Sequence, residues 1–202
     1  MSCFSSNAKQ LSVIFHLIEP DLRELSEIEQ LPDEKAEQAI ELIFWLQIFN
    51  QPHQSPSENF FQDFIHDNQS YFSKKPILLS WFKACQEAIP KFYFVGQYLG
   101  TNAFVAVDIE SEKTIEVILP NPKIKSPKEG TIVANLLLPY PDHLYFPVTD
   151  FYTFNPQATH EIATHIQQYL DELSENPDQY ENFLLMFLEL LDVEKYTLDG
   201  SK

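Results

Sequence analysis

A chain of 202 residues, 44% hydrophobic and 14% aromatic, has the length and apolar content to bury a sizeable core, which excludes wholesale disorder. Its 13 Lys and Arg against 30 Asp and Glu leave a formal charge of −17, a field that repels phosphate backbones and anionic membrane surfaces and argues against direct nucleic-acid binding. Cys3 and Cys85 are too few for a disulfide framework or a zinc site. No secretory signal pattern and no apolar window near the ~20 residues of a membrane span is present, so the expectation is a soluble cytoplasmic protein that does not engage membranes.

From the N-terminus, Leu11, Ile14, Phe15, Ile18, Leu22, Leu25 and Ile28 recur at spacings of three and four, which predicts amphipathic helix over 8–31 with a break or restart at Pro20. A second helix starts near Pro32 and Asp33, with acidic residues in its first turn, and is expected to bury Ile40, Ile43, Phe44, Trp45 and Phe49. A Pro- and Ser-rich loop over 50–57 leads to a helix through Phe60, Phe61, Phe64 and Ile65. A loop over 70–75 then delivers Pro76 to the first position of the next helix, where its missing amide would have had no partner. Ile77 to Ile89 reads as apolar nearly all round. That predicts a helix without a solvent face, with Leu78, Trp81 and Phe82 buried between the N-terminal helices and whatever follows.

From Phe92 to Thr149 the helical period disappears and alternation takes over, as in half-buried strands. Phe92 to Leu99, Phe104 to Ile109 and Thr114 to Leu119 are joined by Gly100-Thr101-Asn102 and Glu110 to Lys113, and read as a meander. A loop of three prolines and three lysines over 120–128 follows. Thr131 to Leu138 is the most continuously apolar run, interrupted only by Asn135, and is placed centrally; His143 to Thr149 contains Pro147 and is expected at an edge. The pattern resembles the small five-stranded barrels of SH3 or OB type. Asn155-Pro156 and Asn176-Pro177 each set an N-cap before an N1 proline, so two C-terminal helices are expected to pair as a hairpin.

The fold class expected is therefore α+β: an N-terminal helical region over 1–90, an antiparallel β-barrel or curled sheet over 91–154, and a helical hairpin over 155–202, packed as one unit. No stretch carries a catalytic, metal-binding or cofactor-binding signature. His160 and His165 flank Glu161 in a string that resembles a zinc helix. Their separation of five, however, rotates them about 140° apart, where metal-ligating histidines need four residues. His16 on its apolar helix and Cys85 inside another read as packing residues. His143 could form a base with Asp108 or Asp142, but no nucleophile elbow or Gly-rich phosphate loop accompanies it.

The informative feature is aromatic residues around the barrel turns: Tyr93, Tyr98, Tyr140, Tyr145 and Tyr152, with Phe151 and Phe154. Such residues anchor protein interfaces, and the same residues would otherwise plug the barrel and seat the C-terminal helices. The functional expectation is a non-catalytic protein-binding or regulatory module, without a cofactor, whose partner is a protein with a basic surface. The alternatives are an acidic nucleic-acid mimic that sequesters a DNA-binding protein, and an enzyme of unfamiliar type with a pocket between barrel and helices. Duplex DNA provides the first test. Lys123, Lys125 and Lys128 neutralise at most about three phosphates, so an anisotropy titration at about 150 mM salt should give binding weaker than about 1 μM, and tighter binding would refute the electrostatic argument.

Overall fold

The computed structural model describes residues 28, 31–50, 60–86, 88, 90–172 and 179–199. Most of the helix expected over 8–31 (8–27, 29 and 30), most of the loop expected over 50–57 (51–57) and the Asn176-Pro177 helix start lie outside the described residues.

Among the described residues, six α-helices flank a closed barrel of five strands. Helix α1 (Asp33–Asn50) opens with Asp33 and Glu34 in its first turn, where the amides of Lys35 and Ala36 bond the carbonyl of Pro32. Its buried stripe is Ala39, Leu42, Ile43, Leu46 and Phe49; Ile40, Phe44 and Trp45 are only half-buried, one helical row away from where the sequence suggested. α2 (Phe60–Asp67) is followed by a single turn, α3 (Gln69–Phe72), in a stretch expected to be loop. The reason is Phe72, which is buried with its ring 6.1 Å from Phe64 and 5.1 Å from Phe82 and so holds the turn closed.

α4 (Pro76–Cys85) does start at its proline, but it corrects the expectation of a fully buried helix. Ile77, Ser80, Lys83 and Ala84 form an exposed face, Leu78, Trp81 and Phe82 are half-buried, and among the helix's residues only Cys85 is buried. The polar pair Ser80 and Lys83 is the solvent face, and Ile77 shares it.

The barrel is built from β1 (Pro90–Tyr98), β2 (Ala103–Asp108), β3 (Thr114–Ile118), β4 (Ile132–Tyr140) and β5 (Leu144–Pro147), with a short β6 (Tyr152–Thr153) added to β4. β1, β2 and β3 form the expected antiparallel meander, and β1 also pairs antiparallel with β4. At the bulge in β1, a Cβ on Gly96 would stand 3.0 Å from the carbonyl oxygen of Val105, so the close approach of β2 needs a glycine there. Gly100, with φ +93°, supplies the left-handed residue of the first hairpin.

β5 closes the ring between β3 and β4, antiparallel to β4 and parallel to β3. The barrel is thus mixed, not purely antiparallel. It closes in the order β1-β2-β3-β5-β4-β1, a five-stranded Greek-key path of the kind found in OB-type barrels. Pro147 does not put its strand at an edge: β3 pairs only with Leu144 and Tyr145, so the proline, last in the strand, lies beyond that ladder and its missing amide costs no bond to β3.

β4 divides two cores, as its continuous apolar run requires. Val133 and Leu137 point into the barrel with Tyr93, Val95, Phe104, Val117 and Phe151. Ile132, Ala134, Leu136 and Leu138 point out against α1, α5 (Thr159–Glu172) and α6 (Gln179–Asp199), which contribute Leu42, Leu46, Ile162, Ile166, Phe187 and Leu190. Asn135 interrupts the run for a reason. It is fully buried, and its Nδ2 donates to the carbonyls of Thr149 and Asp150, each at 3.1 Å, which pins the link from β5 to β6. Asn155 caps as expected, accepting from the amide of Gln157 at 3.0 Å, though the cap begins a 3-10 turn (Pro156–Ala158) that feeds α5.

Among the described residues, α6 carries the one buried carboxylate of this core, Glu194, which is 3% exposed. It accepts the Lys35 ammonium from α1, the Tyr152 hydroxyl from β6 at 3.0 Å, and the backbone amide of Asn155. Among the described residues no helix is long and apolar enough to cross a membrane.

Candidate functional site

The tyrosines expected at a partner surface separate into three groups. Tyr152 is fully buried and bonded to Glu194, and its ring packs edge-on against Phe154 and Phe187; burial, aided by the Glu194 charge, pushes its phenol pKa far up. Tyr93 points into the barrel. Phe151 and Phe154 are buried as well, in the barrel and beneath α6 respectively. Tyr98 is half-buried, with its hydroxyl 2.6 Å from Ser126 Oγ and also on the Pro127 carbonyl, and it ties down the loop between β3 and β4. Tyr140 is 47% exposed and Tyr145 half-buried, at the end of β4 and in β5.

Tyr140 belongs to a groove of about 740 Å3 between α4 and the β4–β5 corner. Leu78, Trp81 and Phe146 make its floor, with Ile77, Tyr140 and Pro141 on its walls and Lys74 and Lys75 at one end. Trp81 is held in place from two sides: its Nε1 donates to the Pro139 carbonyl at 2.7 Å, and its ring stacks on Phe146 at 6.3 Å and 12°. Tyr140 meets Phe146 edge-on. Lys75 is occupied, its ammonium 2.6 Å from the Tyr71 hydroxyl and 4.3 Å from that ring. Ile77 is 86% exposed, an amount of apolar surface that helix packing leaves uncovered. A reading of α4 as buried all round missed this residue; the signal was present in Ser80 and Lys83, three and six positions on.

A second cavity, of about 420 Å3, opens at one mouth of the barrel. Lys91, Asp108, Tyr93, Tyr145, Ser111 and Lys113 supply its polar groups. Asp108, a candidate partner for His143, has its acceptors taken by Lys91 Nζ at 2.7 Å and by the amides of Glu110 at 3.1 Å and Ser111 at 3.3 Å. Lys91 also meets Glu110 at 3.1 Å. Burial works against the charge on both partners, yet the hydrogen bonds between them prevail: Asp108 sits below the usual carboxylate range, helped by Ser111, and Lys91 above the usual lysine range, helped by Glu110.

The remaining candidates stay apart from both cavities. His160 and His165 are exposed on α5, and among the described residues no cluster of His, Cys, Asp or Glu has the arrangement of a metal site. Burial pushes the Cys85 thiol up to about 11, which leaves it protonated and unreactive at neutral pH. On α1, Asp33, Glu37 and Glu41 stand one turn apart beside the half-buried Ile40, Phe44 and Trp45 and line a further groove of about 640 Å3 with Thr149, whose hydroxyl donates to Glu41. No protein-family model, no curated protein and no solved structure matches this chain.

The Lys91–Asp108 pair gives two pH windows. A carboxylate held below its unfolded value, about 3.9, contributes stability above that value and loses it as pH falls through the folded pKa; a lysine held above about 10.4 contributes below that value and loses it as pH rises further. Lys91→Met should therefore move the midpoint of acid unfolding, followed by circular dichroism, to higher pH. An unchanged or lower midpoint would show that the pair does not hold Asp108 down.

Proposed function

We propose that this protein is a non-catalytic binding module that takes an apolar segment of a partner protein into the groove between α4 and the β4–β5 corner. The observation that supports it is Ile77, 86% exposed beside half-exposed Tyr140 over a floor of Trp81 and Phe146 that is already fixed by a hydrogen bond and a stack. Aromatic anchors in a preformed pocket are what concentrate binding energy, because little side-chain freedom is left to lose on association.

Charge acts at two ranges. The field of a −17 chain favours encounter with a partner that is basic overall, and raises the association rate at low salt. Within the groove the sign is reversed, since Lys74 and Lys75 stand at its end. The bound segment is therefore apolar with a carboxylate next to its anchor, carried on a surface that is otherwise basic.

Site-specific photo-crosslinking from position 140 tests this, followed by titration of the captured protein in purified form. Ile77→Asp should weaken that binding by about ten- to a hundredfold, as loss of an interface anchor does, and Lys74→Glu should weaken it further. Absence of any crosslink from position 140, or a purified partner that binds Ile77→Asp as tightly as the parent, would overturn the assignment.

A further inference from the structure

The mouth of the barrel is separate from the groove, and its polar groups are not all accounted for by the fold. Its volume of about 420 Å3 falls in the range of small-molecule sites, about 300–1,000 Å3, and barrel mouths are among the places where such sites form. Asp108 contributes the carboxylate of the lining, and its oxygens already accept from Lys91 and from the amides of Glu110 and Ser111. Lys91 is itself shared between Asp108 and Glu110.

Three donors remain. The Tyr93 side chain is 5% exposed and lines the cavity, yet among the described residues its hydroxyl makes no hydrogen bond. That hydroxyl is not sealed off: it reaches the cavity, where a ligand oxygen can accept from it. The Tyr145 hydroxyl has no hydrogen-bond partner among the described residues either, and there the Lys113 ammonium has neither hydrogen bond nor ion pair. Burial, together with the neighbouring Asp108 and Tyr145, pushes the Tyr93 pKa far up, so it stays a protonated donor at neutral pH. The rest of the lining is apolar: Ile115, Leu137 and Pro139 of the barrel, with Ala84 and Ala88.

We propose that the barrel mouth binds a small monocarboxylate with an apolar body, its carboxylate accepting from Tyr93, Tyr145 and Lys113 and its body lying on Ile115, Leu137 and Pro139. A cation is disfavoured because the lining carboxylate is already saturated. The site stands whether or not the groove binds a protein.

Calorimetric titration of the full chain with 3-phenylpropionate, 3-phenylpropanol and 3-phenylpropylamine compares three head groups on one body. The acid should bind about tenfold or more tighter than the alcohol, with the amine weakest, and Tyr93→Phe, which removes only the hydroxyl, should cost about tenfold or more, as does loss of a hydrogen bond to a charged group. Lys113→Met, at an exposed position, should weaken the acid without affecting the alcohol, and it carries the test if Tyr93→Phe does not fold. Ile77→Asp should change nothing, which separates this site from the groove. The proposal is overturned if the acid shows no binding up to about 10 mM, if alcohol or amine binds as tightly as the acid, or if binding survives in both Tyr93→Phe and Lys113→Met.

Discussion

The interaction on which the assembly depends is the carboxylate of Glu194. A buried carboxylate loses its hydration, and that cost is met only when donors are brought to it in good geometry. Here they come from three places in the chain: the Lys35 ammonium in the first turn of α1, the Tyr152 hydroxyl in β6, and the Asn155 amide where the chain leaves the barrel for α5. None of the three is near Glu194 in sequence. The pair therefore specifies how the N-terminal helix, the barrel and the last helix meet, and the Lys35 ammonium, 5.1 Å from the centre of the Tyr152 ring, adds to the same junction.

Around that junction the apolar packing is aromatic and continuous. Phe183 stacks on Phe92 at 4.8 Å and on Phe187 at 5.9 Å, and Tyr152 and Phe154 meet Phe187 edge-on, so α6 is locked to β1 and β6 through rings. With one face of β4 given to these helices and the other to the barrel interior, little of the barrel is left for α4 to cover. It lies at the β4–β5 corner, held by Trp81, and presents Ile77 outward. The groove is a consequence of where the core is assembled: Trp81 and Phe146 pack against that core, and Ile77 and Tyr140 are left outside it.

Alternation made most of the strands legible, because a half-buried strand writes its two faces directly into the sequence: Phe104, Ala106 and Asp108 are indeed the buried set of β2. Closure was not legible. Nothing local in Leu144 to Pro147 says that it pairs parallel to β3, since parallel pairing is a long-range choice that a short apolar run does not encode. Proline misled for the same reason, as its effect depends on which neighbour reaches it. Glu194 could have been found: in α6 it lies three and four positions beyond Leu191 and Leu190, on the buried stripe, where an acid demands a partner. Of the tyrosines, the sequence showed that they cluster at the barrel, but exposure depends on which helices cover each turn. Tyr152 lies beneath α6, whereas Tyr140 lies at an open corner.

Glu194 and Ile77 should respond in opposite ways to substitution, and the most direct test is urea unfolding of Glu194→Ala and Ile77→Asp side by side. Glu194→Ala should lose about 3–5 kcal/mol, because removing one partner of a buried pair strands the others. Ile77→Asp should stay within about 0.5 kcal/mol of the parent, as surface substitutions do. A Glu194→Ala variant that loses less than about 1 kcal/mol, or an Ile77→Asp variant that loses as much as Glu194→Ala, would contradict the claim that the fold is held at Glu194 and that the α4 groove is free for binding.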